Sequence, residues 1–277
     1  MFKGFYTVAS GMLAQQRRTE MLSNNMANAN TPGYKADQSS MRAFPEMLLE
    51  RFGQKEVPAG NGFSIPDNQT VGPLNTGVYM QEAMPNFVQG DVQQTGSKTD
   101  VALIDVLMPT DAQKKGSVFF TVQNPNGDIR YTRNGNFTLD SQGYLTMGNG
   151  YYVLDEKGST IQLSSDQFTI DENGEITGAS GEKALLGAGY SDNSLRMIKE
   201  GEGLYRTEDG TPLANAYGQQ GVRFKTQQGF LERSNVDASR TMTDMLTAYR
   251  SFEANQKILQ AYDKSMEKAA NEIGRVN

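Results

Sequence analysis

The chain has 277 residues, a formal net charge of −6, and neither cysteine nor histidine. Without cysteine there is no disulfide and no thiolate metal site. Without histidine the usual general base, zinc ligand and triad member are missing. Carboxylates, lysines and hydroxyls remain, so the composition disfavours catalysis without forbidding it.

The charge is unevenly spread. Residues 1–35 carry four basic and one acidic side chain, residues 230–277 carry seven of each, and the stretch between carries 15 basic and 24 acidic. An acidic, solvated middle argues against nucleic acid as a partner, because phosphate neutralisation needs clustered Lys and Arg. No run of about 18 apolar residues occurs, so neither a cleaved signal nor a spanning segment is expected. The pattern fits a cytosolic chain or one exported by a route that cleaves no signal.

Met12–Thr31 contains neither glycine nor proline, although 29 glycines and nine prolines interrupt the rest of the chain. The first helix is expected from about Phe5 to Ala29. Phe5, Val8, Met12, Leu22 and Met26 form a narrow apolar stripe with gaps at Gln15 and Thr19, and Pro32-Gly33 ends it. Asparagine is a poor helix former, yet Asn24, Asn25, Asn28 and Asn30 crowd the last turns. Asn24 and Asn28 share a face, and amides that donate and accept at once suit hydrogen bonds to another backbone. An ordinary fraying helix end is the plainer account.

Residues 52–77 are rich in Gly, Pro and Asn and weak in pattern, which predicts a linker or an extended arm. Beyond it come short β-type runs: Ser117–Val122, Ile129–Arg133, Phe137–Leu139, Tyr151–Leu154, Ile161–Leu163 and Phe168–Ile170. Turn pairs such as Asn126-Gly127, Asn149-Gly150 and Asn173-Gly174 separate them, the pattern of an antiparallel domain built from hairpins.

Phe230–Ile273 is again free of glycine and proline. It predicts a helix from about Asp237 to Ile273, roughly 55 Å long at 1.5 Å per residue. Met245, Phe252, Leu259, Met266 and Ile273 form one good heptad row. Beside it Met242, Tyr249, Gln256, Asp263 and Ala270 form a mediocre one, which suggests a seam with more than one kind of neighbour. Methionines 12, 21, 26, 242, 245 and 266 suit adaptable packing, as well as plain core filling.

The expected fold is therefore α+β: a mainly antiparallel β central domain, with discontinuous N- and C-terminal α-helices pairing into a coiled-coil-like stem. The boundaries are 1–44 with 230–277 for a terminal helical domain, 45–77 for an extended arm, and 78–229 for the β-rich domain. The residues singled out for subunit contacts are Met12, Leu22, Asn24, Asn25, Met26, Asn28, Met245, Tyr249, Phe252, Leu259 and Met266.

Strings that imitate catalytic motifs fail on context. Ser265-Met-Glu-Lys268 lies inside a charged helix without its companion motifs, and Gly178-Ala-Ser-Gly181 lacks the second glycine of a nucleophile elbow. The acidic turns Asp155–Gly158 and Asp171–Glu175 lack the spacing of a calcium loop, and hairpin chemistry accounts for them. No catalytic residue, metal, cofactor or small-molecule substrate is expected.

Three groups of strings, near the start, in the middle and near the end, carry a resemblance. Ala9-Ser-Gly-Met-Leu-Ala-Gln-Gln16 is followed by Ser23-Asn-Asn-Met-Ala-Asn28 and Asn30-Thr-Pro-Gly-Tyr-Lys35. Tyr131-Thr-Arg-Asn-Gly-Asn-Phe-Thr-Leu-Asp140 lies in the middle. Gly229-Phe-Leu-Glu-Arg-Ser-Asn-Val-Asp237 and Tyr249-Arg-Ser-Phe-Glu-Ala-Asn-Gln-Lys257 lie near the end. In content and order these resemble the flagellar basal-body rod and hook family, above all distal-rod-type proteins and the rod paralogues of Gram-positive spore-formers. The resemblance implies a structural, non-enzymatic role in motility, with the chain itself and other rod and hook subunits as partners. It also implies export through the flagellar type III apparatus without a cleaved signal, and polymerisation outside the membrane with the terminal helices innermost. The family's Asp100–Asp105 strand is here separated from Phe119-Phe120 by an insert over 106–116. A secreted adhesin or a type III translocator-like protein with paired terminal helices is the alternative. A cell-wall hydrolase is a third reading, disfavoured by the lack of histidine.

Overall fold

The computed structural model describes residues 2–56, 64–111 and 114–273. It is α+β, with one helix near each end and mostly antiparallel strands between them. Two compact units share the chain. One comprises Met1–Ser23, Ser39–Ala83 and Arg240–Asn277; the other comprises Asn24–Gln38 and Met84–Ser239.

The second unit holds the larger core. Its frame is a nine-stranded antiparallel sheet centred on the strand Ser117–Gln123, which pairs with Ile129–Thr132, Tyr152–Val153 and Ala188–Ser191. The alternation in this strand sends side chains to two cores. Val118, Phe120 and Val122 join Phe137, Leu145 and Val153 on one face. Phe119 packs with Phe87, Tyr131 and Tyr205 on the other. Val101–Leu107 pairs with Arg223–Gln228, and Phe230–Glu232 pairs with Val92–Gln94. Of the expected runs, Ile161–Leu163 makes only an isolated bridge, Gln162 to Tyr144, although Ile161 and Leu163 are buried. Within the insert, Thr110-Asp111 pairs with Lys114-Lys115; residues 112–113 lie outside the described residues.

Helix α1 (Phe2–Ala27), which lies in the first unit as far as Ser23, begins three residues before the expected start and ends two before the expected stop. Its early turns are tied to a neighbouring strand. Thr7 Oγ1 donates to the Thr76 carbonyl at 3.1 Å, and the Val78 amide donates to Ser10 Oγ at 3.2 Å. The arm is not patternless: Met47–Glu56 and Ser64–Leu74 pair as a two-stranded antiparallel hairpin, with a register shift after Leu49. The part of the arm over 57–63 lies outside the described residues.

Helix α2 (Ala238–Lys268) is followed by a π turn, Ala269–Ile273. Within the single chain its burial falls on a different second row. Met242, Tyr249, Gln256, Asp263 and Ala270 are all exposed. The row lying four residues before each member of the good row is the more covered: Thr241 and Ala248 are buried, and Asn255, Tyr262 and Ala269 are half-buried. The reason is close approach. Gly11 lies against Asn255, whose Nδ2 would stand 3.2 Å from a Cβ at that position, and Gly4 lies against Tyr262. A glycine inside a helix costs about 1 kcal/mol against alanine. Here it makes room for Asn255 and Tyr262 to sit beside the helix backbone. Two contacts seven residues apart, in opposite order along the chain, mean that the helices run antiparallel at this point.

Candidate functional site

The second unit brings one string from each motif group, 30–35, 131–140 and 229–237, together in one buried cluster. Lys35 ends the first motif, Arg133 lies in the second, and Glu232 lies in the third. Lys35 Nζ stands 2.5 Å from Glu232 Oε1, and Arg133 Nε stands 2.9 Å from Glu232 Oε2. One carboxylate thus holds two cations. Arg133 Nη1 also meets Asp105 Oδ1 at 3.0 Å and donates to the Val118 carbonyl at 2.7 Å. The Gly90 amide donates to Glu232 Oε1 at 2.8 Å, and Lys35 Nζ donates to the Val88 carbonyl at 2.9 Å. The side chains of Lys35, Arg133 and Glu232 are at most 1% exposed, whereas that of Asp105 is 14% exposed.

Burial sets the electrostatics. It works against the charge on Lys35, and the nearby Arg133 adds repulsion, which brings the ammonium down to about 8 despite Glu232. Burial also opposes charge on Glu232, but Arg133 and Lys35 outweigh it and hold the carboxyl below its ordinary value. Arg133 likewise loses hydration and is still held above its ordinary value by Glu232 and Asp105. Two basic side chains thus face two carboxyl groups, a formally balanced set.

Hydrogen bonds knit the same strings further. Asn25 Nδ2 donates to the Asp37 carbonyl at 2.8 Å, and its Oδ1 accepts from the Asp37 amide at 2.9 Å. The Tyr34 hydroxyl donates to Asn24 Oδ1 at 2.8 Å. Lys199 Nζ bonds both carboxylate oxygens of Asp37 at 3.0 Å and lies 3.8 Å from the centre of the Tyr34 ring. The Gly33 amide donates to the Glu232 carbonyl at 2.8 Å, and Asn235 Oδ1 accepts from the Ala36 amide at 2.7 Å.

The contact candidates scatter against this frame. Asn25 is buried and spends its amide on its own chain's backbone twelve residues on. Asn24 is exposed, while Asn28 bonds back to the Asn24 carbonyl at 2.9 Å and accepts from Thr31. Leu22 is buried. Met12, Met26, Met245, Phe252, Leu259 and Met266 are half-buried, and Tyr249 is 53% exposed. Lys35, Arg133 and Glu232 stand in the motif strings but not among the candidates. Only Glu232 lies in a strand, so no shared local sign marks the three, and no pattern pairs residues nearly two hundred positions apart.

These contacts fasten three distant segments of the chain to one another. The cluster's cations face carboxylates and carbonyls, and among the described residues no group of three acidic, His or Cys side chains could hold a metal. No helix among the described residues is long and apolar enough to cross a membrane. A β-rich unit that ties together the segments flanking two terminal helices has the arrangement of a structural scaffold.

Family models match three segments: the flagella basal body rod protein over 5–35, the flagellar hook protein FlgE/F/G D1 domain over 115–178, and the flagellar basal body rod FlgEFG protein C-terminal region over 227–272. The chain is 47% identical to the flagellar hook-basal body complex protein FlhO of Bacillus subtilis over the full length of both. It is 30% identical to the flagellar basal-body rod protein FlgG of Borreliella burgdorferi, over 98% of each chain. The FlgG of Bacillus subtilis is 29% identical over 98% of this chain and 99% of that one. The chain belongs to the flagellar basal-body rod and hook family.

Proposed function

We propose that the chain is a structural subunit of the bacterial flagellar basal body, in the distal rod or rod–hook region, that polymerises through its terminal helices. The observation that carries this is the full-length likeness to hook-basal body and rod proteins, with one string from each motif group meeting in one buried cluster. The helices supply the means. The exposed face of α2 keeps Met242, Leu246 and Tyr249, each close to half exposed, and burying such area yields about 25 cal/mol per Å².

In this reading residues 1–44 and 230–277 form the polymerisation domain, pairing into a coiled-coil-like stem. Residues 45–77 form the arm and 78–229 the β-rich domain. Partners are further copies of the chain, other rod and hook subunits and the flagellar type III export apparatus. The protein works outside the cytoplasm, without a cleaved signal and without catalysis. Met12, Leu22, Asn24, Asn25, Met26, Asn28, Met245, Tyr249, Phe252, Leu259 and Met266 are proposed to shape the interface, those bonded within the chain by holding its form. The adhesin reading is disfavoured because the likeness to rod and hook proteins runs the whole length.

The experiment is a deletion strain and electron microscopy of its purified basal bodies. Loss of swimming with a truncated rod or missing hook is expected, restored by the intact gene. Normal hooks and swimming would dispose of the reading.

A further inference from the structure

The Lys35–Glu232–Arg133 cluster has a directional property. Lys35 belongs to the N-terminal segment over 28–38, Arg133 follows the strand Ile129–Thr132, and Glu232 belongs to the last strand before α2. Of these, only Glu232 is negative. Arg133 keeps a directly bonded carboxylate in Asp105, but Lys35 keeps one direct bond, to the Val88 carbonyl, and feels Asp105 only at a distance if Glu232 is removed. A buried ammonium facing one carbonyl and a buried guanidinium is not a stable arrangement.

We infer that Glu232 is a latch that makes docking of the N-terminal segment over 28–38 conditional on the C-terminal strand being in place. The Lys35–Glu232 bond spans 197 positions, and a chain is synthesised N-terminal end first, so the segment stays undocked until nearly the whole chain exists. The approaches to both terminal helices are then fixed together or not at all. The other ion pair on the segment, Lys199 to Asp37, is partly solvated, with side chains 19% and 17% exposed, and the remaining ties are neutral hydrogen bonds that leave the Lys35 charge unpaired. The inference rests on this unit's own geometry and holds whether or not the chain polymerises.

Hydrogen exchange on the full-length protein tests it. The Gly33, Ala36 and Asp37 amides, bonded to the Glu232 carbonyl, Asn235 and Asn25, report docking. The Phe120–Gln123 amides, in the central strand, report the sheet. Glu232→Gln keeps the backbone pairing and removes the charge. It should speed exchange at the three docking amides by about a hundred-fold while leaving the sheet amides unchanged. Lys199→Met should change the docking amides much less. Adding Lys35→Met to Glu232→Gln, which removes one charge of each sign, should restore most of the protection.

Unchanged docking amides in Glu232→Gln would overturn the latch, and so would equal acceleration in the sheet, which would make the cluster a support of the whole unit. If Glu232→Gln does not fold, the double variant carries the test: protected docking amides support the latch. A double variant that is unfolded, or has unprotected docking amides, overturns it.

Discussion

Gly33 lies directly against the peptide joining Arg133 to Asn134, so that a Cβ at that position would collide with the Arg133 carbonyl group and the Asn134 nitrogen. Its φ of +69° is also one that side-chain-bearing residues seldom adopt. The glycine of the first motif is thus fixed by the backbone of the second.

Gly33→Ala should therefore destabilise the second unit by more than the conformational term alone, at least about 2 kcal/mol. Gly181→Ala is the matched control. That residue has a φ of +88°, and a methyl added there would meet nothing within 4 Å, so its cost should be only about 1 kcal/mol. Urea unfolding of both variants would measure the difference. Equal costs would mean that the close approach is tolerated.

Asn25 and Asn24 make a second matched pair. Asn25→Ala strips partners from the Asp37 amide and carbonyl at a buried position, at about 1–3 kcal/mol for each group left unpaired. Asn24 is exposed, and Asn24→Ala loses mainly the bond from Tyr34, so its cost should stay below about 1.5 kcal/mol. Thermal melts rank the two. A larger loss for Asn24→Ala would contradict the arrangement.

The outline of the fold is legible because the two glycine- and proline-free ends and the hairpin-spaced turns are local signals. The hairpin formed by Met47–Glu56 and Ser64–Leu74 is not, because Met47, Leu48 and Leu49 run together without alternation and prolines and glycines follow. The second row of α2 escapes the sequence for a different reason. Residues three and four positions before Phe252 are both plausible neighbours, and only the glycines at 4 and 11 of the other helix decide in favour of Ala248. In the cluster, each partner is visible in a motif. Their meeting depends on tertiary pairing that no spacing encodes.

Lys35 makes a prediction about alkaline pH. Its ammonium sits at about 8 in the fold and at about 10.4 in an unfolded chain, so between those values the unfolded state binds more protons. Stability contributed through this group therefore rises with pH in that window, by at most about 1.4 kcal/mol per pH unit. The unfolding free energy of the parent protein, minus that of Lys35→Met, should grow between pH 8 and pH 10. A difference that shrinks would show the ammonium to be better accommodated than its burial implies. Glu232, held low, acts at the acid end: its contribution is present above the ordinary carboxylate range and is lost as pH falls through its folded value.

The two faces of α2 yield the last prediction. Phe252 and Leu259 lie on the covered face with Ala248 and Asn255, whereas Met242 and Tyr249 are both 53% exposed. A charge on the covered face has to leave an apolar contact inside the unit. Phe252→Asp with Leu259→Asp should then cost several kcal/mol within the isolated protein and reduce its helical circular dichroism. Met242→Asp with Tyr249→Asp places the same charges in water, so the isolated protein should keep its helix content and its melting temperature. If polymerisation uses the exposed row, that second variant should nonetheless fail to restore swimming in a deletion strain. Full restoration by the Met242/Tyr249 variant would remove this face from the interface, and unchanged helicity in the Phe252/Leu259 variant would show that the covered row is not closed by the chain's own contacts.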